Sequence, residues 1–253
     1  MINKQVLLNG ILTSYVISDN FNPEKSLLFL HGRGNDKMSF LEIYKLLDEK
    51  KISYIALDFP GFGGSDFPSF DWSVYYYAEF IQDFIKRLEL VKPTLIGHSF
   101  GGRISIILGS AEAYENINKL ILIGSAGVRP KINKLKLAII KTGKTIFSIP
   151  GLKGIGNKIR QKIGSRDYLN SGRMKNIFLK TINDDLTPLF EKIKYPTLLI
   201  RGLLDSETPV ADGILMSNTI DNAKLKIYDN GTHFVHQEFS NEVFQDIEKF
   251  IHQ

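Results

Sequence analysis

The chain has no cysteine among its 253 residues. That excludes disulfides, thiolate nucleophiles and zinc–sulfur sites together, and it fits a reducing, cytoplasmic setting. No apolar run approaches the roughly 18 residues needed to cross a bilayer, so no membrane-spanning helix is expected. Met1 to Ser14 carries a single lysine and no apolar stretch, so no secretory signal is read there. Acidic residues are missing from one long interval, between Glu115 and Asp167. Within it lie Lys119, Arg129, Lys131, Lys134, Lys136, Lys141, Lys144, Lys153, Lys158, Arg160, Lys162 and Arg166. These twelve positive residues exceed the net charge of +5, so the remainder of the chain is net acidic. With Leu135, Ile139, Ile140 and Phe147 between the lysines, the block reads either as a solvated face or as a weak attractor of anionic lipid or anionic substrate. No nucleic-acid motif accompanies the charge, so nucleic-acid binding is not expected.

What is present is a βα rhythm. The length suits one large α/β domain, or one domain with an insertion, and a hydrophobic fraction of 43% supports a sizeable core. Gln5 to Leu8 and Ile11 to Ile17 read as strands joined at Asn9-Gly10, a hairpin-turn pair. Ser26 to Leu30, Tyr54 to Leu57, Thr94 to Ile96 and Leu120 to Ile123 are continuous apolar runs, as expected of parallel strands covered on both faces. Phe40 to Leu47 and Trp72 to Leu90 have helical periodicity between them; in the second, Val74, Tyr77, Ile81, Phe84, Ile85 and Leu88 share a face. The rhythm breaks near Ser125. Residues 126 to 190 hold helical fragments and no convincing strand, although Met174, Ile177, Phe178, Thr181 and Ile182 form one amphipathic stripe. Strands then return at Thr197 to Ile200 and Lys224 to Tyr228, with helices at Pro209 to Asn218 and at the C-terminal end. We read residues 1–125 and 191–253 as one core domain, and 126–190 as a helical cap over the strand ends.

Ser99 sits at the join of a strand and a helix in Gly97-His98-Ser99-Phe100-Gly101-Gly102. A serine flanked by glycines two residues away on each side is the layout of a nucleophile elbow. The turn is sharp enough to force the serine backbone into a strained region, and glycines let strand and helix approach. A serine hydroxyl needs a base to remove its proton, and the base needs an orienting acid. Of the five histidines, His233 follows the last strand directly, and His236 is its rival. His98 neighbours the serine and reads as packed; His252 reads as solvated. Asp205, after the strand that starts at Thr197, is the acid candidate, with Glu207 second. Asp58, also after a strand, reads as a helix cap. The chain order Ser99, Asp205, His233 is the one expected of this arrangement. For an oxyanion hole, Phe100 supplies one backbone N–H and the His31-Gly32-Arg33-Gly34 turn supplies another, from Arg33 with Gly34 as the alternative. His31, Gly32, Met174 and Phe178 are candidate pocket residues. No metal or cofactor site is read.

These segments, together with Asp58-Phe59-Pro60-Gly61-Phe62-Gly63-Gly64-Ser65 and Gly231-Thr232-His233 followed by Glu238, resemble the α/β-hydrolase fold family from about residue 26 to 252. The resemblance implies an eight-stranded, mostly parallel sheet with helices on both faces and a helical cap after the sixth strand. It also implies the roles of nucleophile for Ser99, acid for Asp205, base for His233, and oxyanion amides for Phe100 and Arg33. Carboxylesterases, enol-lactonases and carbon–carbon bond hydrolases are similar by pattern, and proline iminopeptidases less so. Haloalkane dehalogenases are disfavoured because they carry Asp where this chain has Ser99. Thr232 departs from the glycine that many members carry there. The expectation is a cofactor-independent serine hydrolase of a small or acyl ester, with a triad-bearing small-molecule sensor as the alternative outside catalysis.

Overall fold

In the computed structural model, residues 1–111, 116–129, 174, 177, 180, 181 and 184–253 are described. They build one eight-stranded sheet with helices against both faces. The chain opens with β1 (Ile2–Leu8) and β2 (Ile11–Ile17). Asn9 and Gly10 between them have φ of 52° and 77°, the paired left-handed geometry of a tight hairpin. Then come β3 (Leu27–Leu30), α1 (Leu41–Glu49), β4 (Tyr54–Leu57), α2 (Val74–Arg87), β5 (Thr94–His98), α3 (Phe100–Ser110) and β6 (Leu120–Ile123). After a 3-10 turn at Thr187–Lys192 follow β7 (Thr197–Gly202), α4 (Val210–Thr219), β8 (Ala223–Tyr228), α5 (Val235–Glu238) and α6 (Ser240–Ile251).

The strand order is β1-β2-β4-β3-β5-β6-β7-β8. β2 pairs antiparallel with β1 and β4, and every other neighbouring pair is parallel. From β3 the chain steps outward to β4, then returns past β3 to form β5. The direction of winding therefore reverses between β3 and β5, and a crevice opens at their carboxyl ends. The His31 turn and the Ser99 elbow are the two loops that flank it.

Strand alternation divides the core in two. Leu28, Leu30, Leu95, Leu120 and Leu122 face α2 and α3. Leu27, Phe29, Ile96, Ile121 and Ile123 face α1 and α6. Both faces are buried, which is why these strands read as unbroken apolar runs rather than as alternating ones. Phe29, fully buried, packs against Phe40, Tyr44 and Tyr54; truncation to alanine there costs about 3–5 kcal/mol.

Some element ends differ from the sequence pattern. The second helix is shorter than Trp72 to Leu90. Trp72 leaves the helix to join Phe70, Tyr76, Tyr77 and Phe80 in an aromatic cluster, and Glu89 stops it with a φ of 54°. Asp58 caps no helix. It is fully buried and accepts from Lys37 Nζ at 2.7 Å, Lys37 N at 2.6 Å and Gly64 N at 2.8 Å, so it pins the loop after β4 to the loop after β3. Lys119, at the start of the basic interval, caps the end of α6 instead: its Nζ donates to Phe250 O and Ile251 O at 2.9 and 3.1 Å. Lys131 to Arg166 lie outside the described residues. Where the chain leaves β6 and where it returns are tied together, because Leu186 N donates to Gly127 O at 2.9 Å.

Candidate active site

Ser99 has φ 49° and ψ −104°, a left-handed backbone that a residue with a Cβ adopts at a cost of about 1–3 kcal/mol. Its surroundings enforce that geometry. Ser99 N donates to Ile123 O at 3.0 Å, Gly101 N to His31 O at 3.1 Å, and Ala126 N to Ser99 O at 3.3 Å. The elbow is thereby tied to β6 on one side and to the β3 loop on the other. A Cβ on Gly97 would lie 2.7 Å from the backbone of Gly101, and one on Gly101 2.0 Å from Leu30 O. Backbone packs on backbone at both places, and nothing flexible can yield. Phe100 opens α3, so its N–H is among the four at a helix start that have no intrahelical acceptor. Its ring is held by Phe59, Phe62 and Tyr77.

The candidate acid and base meet across the ends of β7 and β8. His233 Nδ1 lies 2.8 Å from Asp205 Oδ2, and the Asp205 side chain is fully buried. A carboxylate only accepts, so Nδ1 carries the proton and Nε2 keeps its lone pair. Asp205 also accepts from Glu207 N, Thr208 N and Thr208 Oγ1 at 2.8, 2.9 and 2.6 Å. Burial pushes this carboxyl up, but its hydrogen bonds from His233 and Thr208 hold the group below its ordinary value. Beneath the acid loop, the fully buried Arg201 donates to Ser125 O at 2.8 Å and Thr208 O at 3.3 Å. Burial lowers that guanidinium to about 10.

His233 sits over the β6 end: a Cβ on Gly124 would fall 3.3 Å from its Nδ1. Since Ser99 N bonds the residue just before Gly124, hydroxyl and imidazole occupy neighbouring strand ends. His98 adds a link from below, its Nε2 lying 3.0 Å from His233 O; a carbonyl accepts, so Nε2 carries the proton. Thr232 explains how this chain does without glycine before the histidine. Its N–H and hydroxyl both donate to the Glu238 carboxylate, which clamps the turn.

The other candidates fall apart from this group. His236 is 1% exposed, faces Phe40 and His98, and has no partner on either ring nitrogen, so it does not compete for Asp205. Glu207 lies 3.7 Å from His233 Nε2, on the opposite nitrogen from Asp205. His31 was expected in the pocket. Its ring is 1% exposed and both nitrogens are engaged, with Gly32 O at 2.7 Å and Phe59 N at 3.0 Å, so it braces the turn instead. Gly32 gives His98 room, since a Cβ there would stand 2.5 Å from its ring. Arg33 is half-buried on the same turn. Met174 is buried against Gly61, and Phe178 lies outside the described residues. Sequence reading missed Thr208 and Arg201. A threonine three residues after a loop aspartate is a capping signal for Thr208; no comparable signal marks Arg201.

Among the described residues no group of three or more His, Cys, Asp or Glu could hold a metal ion, and no helix is long and apolar enough to cross a membrane. The reversal point, the serine elbow and the strand order define an α/β-hydrolase fold, and residues 25–142 match the family model described as alpha/beta hydrolase fold. The chain therefore has the α/β-hydrolase fold, and over those residues it is similar to that family. It is 27% identical to a putative esterase/lipase of Mycoplasma pneumoniae, over 91% of each chain. It is 25% identical to a monoacylglycerol lipase of Mus musculus, over 84% of this chain and 71% of that one. Among solved structures it is similar to an esterase from Exiguobacterium antarcticum, with TM-score 0.78 and 21% identity over the full length of both chains. It also resembles an enol-lactonase from Burkholderia xenovorans, with TM-score 0.74 and 17% identity over 99% of this chain and all of that one.

Proposed function

We propose that the protein hydrolyses carboxylic esters through a Ser99–His233–Asp205 triad. The observation that carries this reading is the 2.8 Å bond from His233 Nδ1 to the buried Asp205, beside a serine held at positive φ on the next strand end. Asp205 fixes the tautomer, so Nε2 is the basic atom. His233 Nε2 takes the Ser99 proton while Oγ attacks the ester carbonyl. The oxyanion that forms is met by the N–H groups of Phe100 and Arg33. His233 then gives its proton to the departing alcohol, which leaves an acyl-enzyme on Ser99. Water repeats the cycle and frees the acid. The scheme needs no cofactor. The esterase and lipase names of the relatives favour an ester substrate, and the same residues would also serve a lactone or a carbon–carbon bond substrate. The positive residues between Lys119 and Arg166 would add a weak attraction for anionic lipid.

A fluorophosphonate probe tests this. The wild-type protein should become labelled and should turn over a short-chain p-nitrophenyl ester, and Ser99→Ala should do neither. Labelling retained in that variant would move the nucleophile elsewhere. Absent turnover, together with ligand-dependent binding to a second protein, would favour the sensor instead.

A further inference from the structure

The proposed reaction makes one atom decisive for the departing group. His233 Nε2 hands its proton to the leaving oxygen, so that oxygen must come within hydrogen-bond reach of Nε2. Whatever stands beside Nε2 then stands beside the alcohol. The structure puts Glu207 there, with Oε2 at 3.7 Å and its side chain 56% exposed. That distance is beyond a hydrogen bond. The carboxylate is not a second orienting acid either, because Nδ1 is already bonded to Asp205. The backbone that carries it is nevertheless fixed, since the Glu207 N–H is anchored on Asp205 Oδ1 at 2.8 Å. Among the described residues this carboxylate has no hydrogen bond, and it stands beside the atom at which the alcohol leaves.

Resting on the triad reading, we propose that Glu207 sets leaving-group specificity, favouring esters whose alcohol carries a positive charge. A cationic alcohol placed against Nε2 gains an ion pair with Glu207 as the oxygen departs, an anionic one is repelled, and a neutral one gains nothing. Because Glu207 is partly hydrated, the gain is that of an exposed pair, roughly fivefold in kcat/KM, and it shrinks with added salt.

Choline butyrate and 3,3-dimethylbutyl butyrate have nearly the same shape and differ in charge, so their kcat/KM ratio isolates the effect. The ratio is taken within one preparation, so any loss of folded protein cancels. The wild-type protein should prefer the choline ester by about fivefold at low ionic strength, and Glu207→Gln should bring the ratio close to one. An unchanged ratio in the variant overturns the proposal. So does an equal fall for both esters, because Glu207 would then be acting through His233. In either case, turnover that Ser99→Ala abolishes leaves the triad reading standing. If the wild-type protein hydrolyses neither ester and takes no fluorophosphonate label, the triad reading fails and the proposal fails with it.

Discussion

His236 should make the folded protein sensitive to acid, and the effect can be sized. Its ring is 1% exposed, packs 4.6 Å from Phe40 and 4.3 Å from His98, and has no partner on either nitrogen. Burial, with a smaller contribution from His233, lowers this imidazole to about 3, against an ordinary 6.5. Between those values the unfolded chain binds a proton that the folded chain refuses. Stability is therefore unaffected above about pH 7 and falls as pH drops through the window. From pH 7 to pH 5 the loss from this residue is about 2 kcal/mol, at about 1.4 kcal/mol per fully developed pH unit. His98 and His31, both buried and both lowered, act in the same direction. His236→Leu removes the titrating ring and two unsatisfied nitrogens while keeping an apolar side chain against Phe40. Urea unfolding at pH 7, 6 and 5 should show the wild type losing about 2 kcal/mol more than the variant, with unchanged m-values. Parallel curves for the two proteins would refute a neutral buried His236.

Asp205→Asn should lower kcat by about 10³–10⁴-fold with little change in KM, because an amide no longer enforces the Nδ1 proton; a steady-state assay on a p-nitrophenyl ester reads it. His98→Ala, which removes the donor to His233 O, should lower kcat about tenfold, the worth of one neutral hydrogen bond. His98→Gln, which keeps an N–H at the same reach, should recover most of it, and equal losses in the two variants would count against positioning. Sedimentation with vesicles tests the lysine-rich interval: anionic vesicles should retain the protein at low salt and neutral ones should not, and equal negligible binding would remove the idea.

The sheet was legible because its strands are unbroken apolar runs, and the site was legible because turns and strand ends carry it. Ser99, Asp205 and His233 each follow a strand closely, which puts all three at the carboxyl ends of the sheet, and there His233 meets Asp205. Side-chain direction was less visible. Asp58 and Asp205 both follow strands, yet one pairs with Lys37 and the other with His233. That choice depends on partners 21 residues before and 28 residues after, respectively. His31 looked available in a glycine-rich turn, but two backbone partners fixed by β3 and β4 claim its nitrogens. Arg201 directly follows the apolar run Leu198 to Ile200 in β7. Only the packing of β7 against Ser125 and Thr208 shows where its charge is solvated.

The single backbone bond between Gly127 and Leu186 works like a hinge pin for variation. Insertions or deletions between residues 130 and 173 would leave strand register and the Asp205–His233 bond where they are, since both ends are already brought together at the core. That stretch of sequence could thus change in length without moving the strand ends.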